Sequence, residues 1–242
     1  MTPELGMTIK KSMKMNSNPG KKLIIKINEE RYARYPVKTD LITPKDKNLL
    51  EIIKKYTNGL LEEGDTVFIS EKIVAITQGR AYPINEIKAS KIAIWLSKRV
   101  YKNPGGIGLA SPETMQLAIE EIGLWRVLLA GFVSLITKPF GIKGIFYIIA
   151  GDKARGIDGP VPYAIPPYNT YASKIPLEPK KTAIEISREI GFPTAIVDAN
   201  DLGVRILGAS KGIDKKILIK ALKDNPLGQC DESTPIGILR KL

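Results

Sequence analysis

Short apolar runs bounded by turn residues alternate along this chain with segments of helical period, and no unit repeats at a 20–50-residue spacing. That alternation excludes solenoids and propellers, and predicts a mixed α/β (α+β) domain. Strands are expected at 23–27, where lysine alternates with aliphatics, at 66–70 (TVFIS), at 194–198 (TAIVD) and at 235–239. A buried strand is expected at 145–150, whereas 125–136 is a continuous apolar run with no readable period, compatible with helix or strand. Helices are expected at 48–61, at 87–100 and at 214–223. Another opens with Ser111-Pro112-Glu113 and runs to Gly123, and a last one is capped by Thr182 and ended by Gly191. Residues 1–20 read as a flexible arm and 21–242 as one domain.

What the chain lacks narrows the chemistry. It has no histidine and a single cysteine, Cys230. Serine–histidine and cysteine–histidine catalysis, imidazole-ligated zinc and intrachain disulfides are therefore excluded. No phosphate-loop signature occurs, and Gly105-Gly106-Ile107-Gly108 lacks the spacing and context of a dinucleotide loop. The longest apolar run, 127–136, is too short to span a bilayer, and no apolar leader opens the chain. A cytoplasmic protein with no membrane partner is expected. The formal charge is +12, from 37 basic and 25 acidic residues, and it is spread along the sequence. Such a spread is ordinary for a solvated surface and also suits anionic small ligands. Nothing in the sequence has the pattern of a nucleic-acid module.

Carboxylates remain as the chemistry-bearing groups. Asp198 ends the TAIVD strand, a common ligand position in α/β sheets, although turn and cap roles are equally open to it. Gly151-Asp152 through Gly156-Ile157-Asp158-Gly159 forms a second acidic, glycine-rich stretch, which read alone is a turn. Two separated Asp loops without His or Cys suit a hard ion held by oxygen, Mg²⁺ or Mn²⁺ rather than Zn²⁺. With a basic protein around them, such ions handle phosphates.

The stretch YPVKTDLITPKDKNLLEIIKKY…LLEEGDTVFISEKIVAITQGRAYP resembles the opening of the coenzyme F(420) γ-glutamyl ligase family. Gly64-Asp65 and Gly79-Arg80 stand at the family's ungapped spacing. AGDKARGIDGPVPYAIPPY is similar to its Ala-Gly-Ile-Asp loop, and AIVDANDLG to its strand ending in Asp-Thr-Asn-Gly. The resemblance runs from about Tyr35 to Leu242. It implies an intertwined homodimer of a mixed α/β fold, in which GTP (or ATP) and a divalent metal drive glutamate onto a carboxylate through an acyl phosphate. By position it makes Asp198 a metal acid and Asp158 another, with Asp152 as the alternative to Asp158. Lys72, Arg80 and Arg155 are the cations expected near phosphates or carboxylates. One departure stands out. The family's Ser-Lys-Ala-Glu after Lys-Ile-Val is here Ala75-Ile76-Thr77-Gln78, which replaces a hydroxyl and a cation with two apolar side chains. Two rivals therefore accompany the ligase reading: a binder of the same fold without turnover, and a nucleic-acid binder driven by charge.

Overall fold

Six strands form one sheet because their side chains divide between two covers. The computed structural model describes residues 16–100, 108–142, 144–200, 203–228 and 230–242. The Gly-rich 105–107, the Asp201-Leu202 pair and most of the N-terminal arm lie outside them. Strands β1 (Ile24–Ile27) and β2 (Glu30–Val37) make a hairpin whose two turn residues, Asn28 and Glu29, both have positive φ, the backbone of a tight two-residue turn. The sheet continues through β3 (Thr66–Ser70), β6 (Thr194–Asn200), β7 (Gly203–Ala209) and β8 (Ile236–Lys241), in the order β1-β2-β8-β3-β6-β7. Only β3 and β6 run parallel among its paired strands. A second, two-stranded sheet joins β4 (Ala81–Pro83) to β5 (Tyr171–Ser173).

Alternation along β3 assigns the covers. Val67 and Ile69 share a core with Ile53 of α1 (Leu49–Thr57), with Ile73, Val74 and Ile76 of α2 (Glu71–Thr77), and with Ala183 and Ile186 of α8 (Pro179–Ile190). Phe68 turns to the other side, against Leu218 and Leu222 of α9 (Lys215–Leu222). Its ring lies over Gly237, its register partner on β8, where any Cβ would overlap the ring. The Gly64-Asp65 motif is structural. Asp65 is fully buried, accepts the Glu62 amide, and holds the Arg240 guanidinium of β8 at 2.8 and 2.7 Å. Such a bidentate pair compensates the burial of its charges.

A third core belongs to helices: α3 (Lys91–Ser97), α4 (Pro112–Ile122), α5 (Leu124–Thr137), α6 (Ile145–Ala150) and α7 (Asp152–Arg155). Ser111 caps α4 and Gly123, at φ 83°, ends it, as the sequence predicts. Two expectations are corrected here, and one open reading is decided. Residues 145–150 form helix α6, not a buried strand: they pair with no neighbour, close helical bonds back to Gly144, and bury only Ala150 fully. The ambiguous 125–136 run lies within helix α5. Helix α8 begins at Pro179 with Glu178 at its cap position, so Thr182 sits inside the first turn, donating its amide to the Glu178 carbonyl. Proline at N1 outcompeted the hydroxyl as the start signal. The glycine-rich 151–169 stretch is also less irregular than expected, since it contains α7.

Candidate active site

The parallel pairing of β3 with β6 sets Ser70 beside Val197. The next residues, Glu71 and Lys72 of α2 on one side and Asp198 on the other, therefore lie together where the parallel pairing stops. Open α/β sheets put their ligands at such a rim. Strand β6 itself runs on to Asn200 against β7, so Asp198 does not end its strand as the sequence predicts. The Ser70 hydroxyl accepts the Lys72 amide and so starts α2 immediately after the strand.

Asp158 reaches the same place from the loop after α7. Its amide donates to the Ser173 carbonyl at 3.0 Å and its carbonyl accepts the Ser173 amide at 2.9 Å, which pins the loop to β5. The Lys72 ammonium then donates to Asp158 Oδ2 and to Ser173 Oγ, each at 3.1 Å. Asp198 accepts a hydrogen bond from Asn200 Nδ2 at 3.0 Å. It lies opposite Arg205 in the β6–β7 register, 3.9 Å from that guanidinium. Arg205 also donates to Asp152 Oδ1 at 3.1 Å, and Arg155 stands 3.7 Å from the same oxygen.

Four acids, Glu71, Asp152, Asp158 and Asp198, share this rim with three cations, Lys72, Arg155 and Arg205. Burial raises the Glu71 carboxyl well above its usual range, and the charges of Asp198 and Asp158 push it further up. Asp198 is raised by burial and by Asp158, against the opposing pull of Arg205. Burial works against the Lys72 ammonium, yet Asp158 together with the other acids raises it overall. Glu71 is also the one buried side chain among the described residues with an unpartnered polar atom, its Oε2. An orphaned carboxylate oxygen within an acid-rich cluster of oxygen donors fits a hard divalent cation in charge and donor type. Among the described residues no three acids stand close enough together to grip an ion as they are, and Lys72 occupies one oxygen of Asp158.

The expected site residues thus divide. Lys72, Asp158 and Asp198 converge on one electrostatic cluster. Asp152 is exposed and joins only through Arg205, and Arg155 faces Asp152 from its own helix. Arg80 is engaged elsewhere: it donates to the Ile175 carbonyl and to Glu121 of α4, both at 2.7 Å. Glu71 and Arg205 were missed by sequence reasoning. The acid directly after TVFIS was a usable signal, whereas Arg205 needed the β6–β7 register. Ala75 and Ile76 are both buried in α2, so the departure from Ser-Lys is absorbed into the core.

No curated protein matches the chain significantly. A family model described as F420-0:Gamma-glutamyl ligase matches residues 36–226, from β2 to just beyond α9, and so takes in both strands of the parallel pair and the Asp158 loop. The chain belongs to the F420-0:gamma-glutamyl ligase family.

Proposed function

We propose that this protein is a metal-dependent, nucleotide-using amide ligase. The observation that carries the reading is the meeting of Lys72, Asp158 and Asp198 where the β3–β6 pairing stops, with the orphaned Glu71 Oε2 beside them. Family membership supports ligase chemistry in coenzyme F420 biosynthesis. Asp158 and Asp198 would hold Mg²⁺ or Mn²⁺, with Asp152 the alternative to Asp158. The bound ion would neutralise phosphate charge as a terminal phosphoryl of GTP or ATP moves to a substrate carboxylate. Lys72, released from Asp158 when the ion binds, would turn its ammonium to the phosphates. An amine, glutamate in the family's reaction, then attacks the acyl phosphate, forming the amide bond as phosphate leaves. Arg155 would add positive charge at the rim, and Arg80 would act through α4 and the segment after β5, which it ties together. Residues 21–242 act as one domain in this reading. The active form is a cytoplasmic homodimer, as the family resemblance implies.

The decisive experiment measures inorganic phosphate from GTP or ATP with Mg²⁺ or Mn²⁺. Release that requires both an acceptor carboxylate and an amine supports the ligase. Metal-dependent nucleotide affinity with no turnover under any pairing supports the second reading, a binder that kept the fold. The burial of Ala75 and Ile76 favours that rival, because neither side chain offers a polar group to an anion.

A further inference from the structure

Glu71 is the first residue of α2, directly after β3. A carboxylate at such a position ordinarily reaches water or accepts a helix-start amide. The Oε2 of Glu71 does neither: the side chain is buried, the residue only 9% exposed, and this oxygen has no partner. The amide nearest to it, that of Lys72, is taken by the Ser70 hydroxyl. The two cations whose charge acts on Glu71 are committed to other acids. Lys72 donates to Asp158, while Arg205 donates to Asp152 and stands 3.9 Å from Asp198. The oxygen is buried within one subunit, so a second copy docked against the outside cannot supply its partner. A group small enough to enter the cluster can.

The Lys72 ammonium marks the place for it. It bonds Asp158 Oδ2 and Ser173 Oγ at 3.1 Å each, and its charge acts on Glu71 and Asp198 as well. Three carboxylates thus share one cation, with a hydroxyl oxygen beside it. Lys72 and Asp158 are both part exposed, so the ammonium has room to swing out and a hydrated ion to enter. With the lysine in place, no three acids among the described residues close on a point; its departure vacates the position they share. The number of carboxylates then matters. Mg²⁺ held by one or two is completed by substrate phosphates, whereas a third supplies charge that the phosphates would otherwise bring.

We infer that Glu71 is a third carboxylate ligand beside Asp158 and Asp198, and that the protein therefore holds its divalent ion before any nucleotide arrives. The inference rests on the ligase reading for the ion itself and adds the order of loading. Equilibrium dialysis of the full chain against Mn²⁺, with and without GTP, tests it. The wild type should retain Mn²⁺ with no nucleotide present. Glu71→Gln should weaken that affinity about tenfold or more, and GTP should restore most of it. Asp198→Asn should bind weakly under both conditions. If Glu71→Gln does not fold, Lys72→Met serves: clearing the ammonium should tighten Mn²⁺ binding without GTP. Three results would each overturn the inference and leave the ligase reading standing: retention by the wild type only with GTP, Glu71→Gln matching the wild type without it, or Lys72→Met leaving the affinity unchanged. No retention by the wild type with or without GTP would sink the inference and the metal-dependent reading together.

Discussion

The rim of β3 and β6 and the α5–α6 hairpin break the usual rule of burial in opposite directions. At the rim, carboxylates are drawn into the protein: Glu71 is buried with an orphaned oxygen, and Asp198 is raised by burial and by Asp158. On the hairpin, aromatic and aliphatic side chains are pushed out, among them Trp125, Phe132 and Ile148. Neither arrangement stabilises the isolated chain. Excess buried charge costs free energy until something positive arrives, and exposed apolar area gains nothing until something dry covers it. Comparing them separates two kinds of demand: the first region stores an electrostatic one for a small ion, the second a hydrophobic one for a cover. Mutations should therefore affect the two regions through different observables.

The largest effect is expected at Asp198. Asp198→Asn keeps the shape and removes one charge, so turnover should fall about 10³-fold, or roughly 4 kcal/mol of barrier. The melting temperature should hold or rise slightly, because a carboxylate already disfavoured by burial is gone. Phosphate-release kinetics beside a melting curve decide it. Unchanged metal-dependent nucleotide affinity with a lower melting point would make Asp198 a structural partner of Arg205 and Asn200 within the sheet, and the rim would then carry no ionic demand.

A pair of substitutions on α5 tests the other region. Val127→Asp puts a charge in the seam with α4 and α6 and should cost about 3 kcal/mol in urea denaturation. Leu129→Asp, two residues on and exposed, should stay within about 0.5 kcal/mol. Equal costs would mean that the outer face of α5 is already covered in the folded protein, and the contrast between the regions would fail.

Much of the frame was legible because local signals agreed with the final fold. TVFIS and TAIVD became the parallel pair, Ser111-Pro112 opened α4, and Asp214 capped α9 through two amides. Lys72, Asp158 and Asp198 were reachable because motif spacing carries position without needing a structure. The hairpin was misread for a physical reason. Ile145, Ile148 and Ile149 have strand propensity, but helix and strand cannot be told apart in a short apolar run until a partner strand is found, and none pairs there. Arg205 was invisible because it meets Asp198 only through antiparallel register, and Arg80 looked available because its partner Glu121 lies far along the chain.

The smallest effect expected is on stability, at Glu71, and its sign is diagnostic. Its folded carboxyl titrates well above the ordinary value of 4.5. A group of that kind contributes most below its unfolded value, and the contribution is lost as pH rises through the folded one. Without divalent ions, the wild-type protein should therefore lose stability from about pH 4.5 upward as Glu71 is forced to ionise beside Asp198 and Asp158. Glu71→Gln removes that ionisation and should flatten the trend. The variant should melt about 2–4 °C higher near neutrality, equivalent to about 1 kcal/mol in a chain of this size, and the gap should close at acid pH. Phe132→Ser, on the hairpin, should track the wild type at every pH, because no titratable demand exists there. Melting curves from pH 4 to 8 in chelator check both. A Glu71→Gln variant less stable across the whole range would mean that Glu71 serves as a satisfied structural acceptor, and the two regions would then differ in exposure but not in the kind of demand they hold.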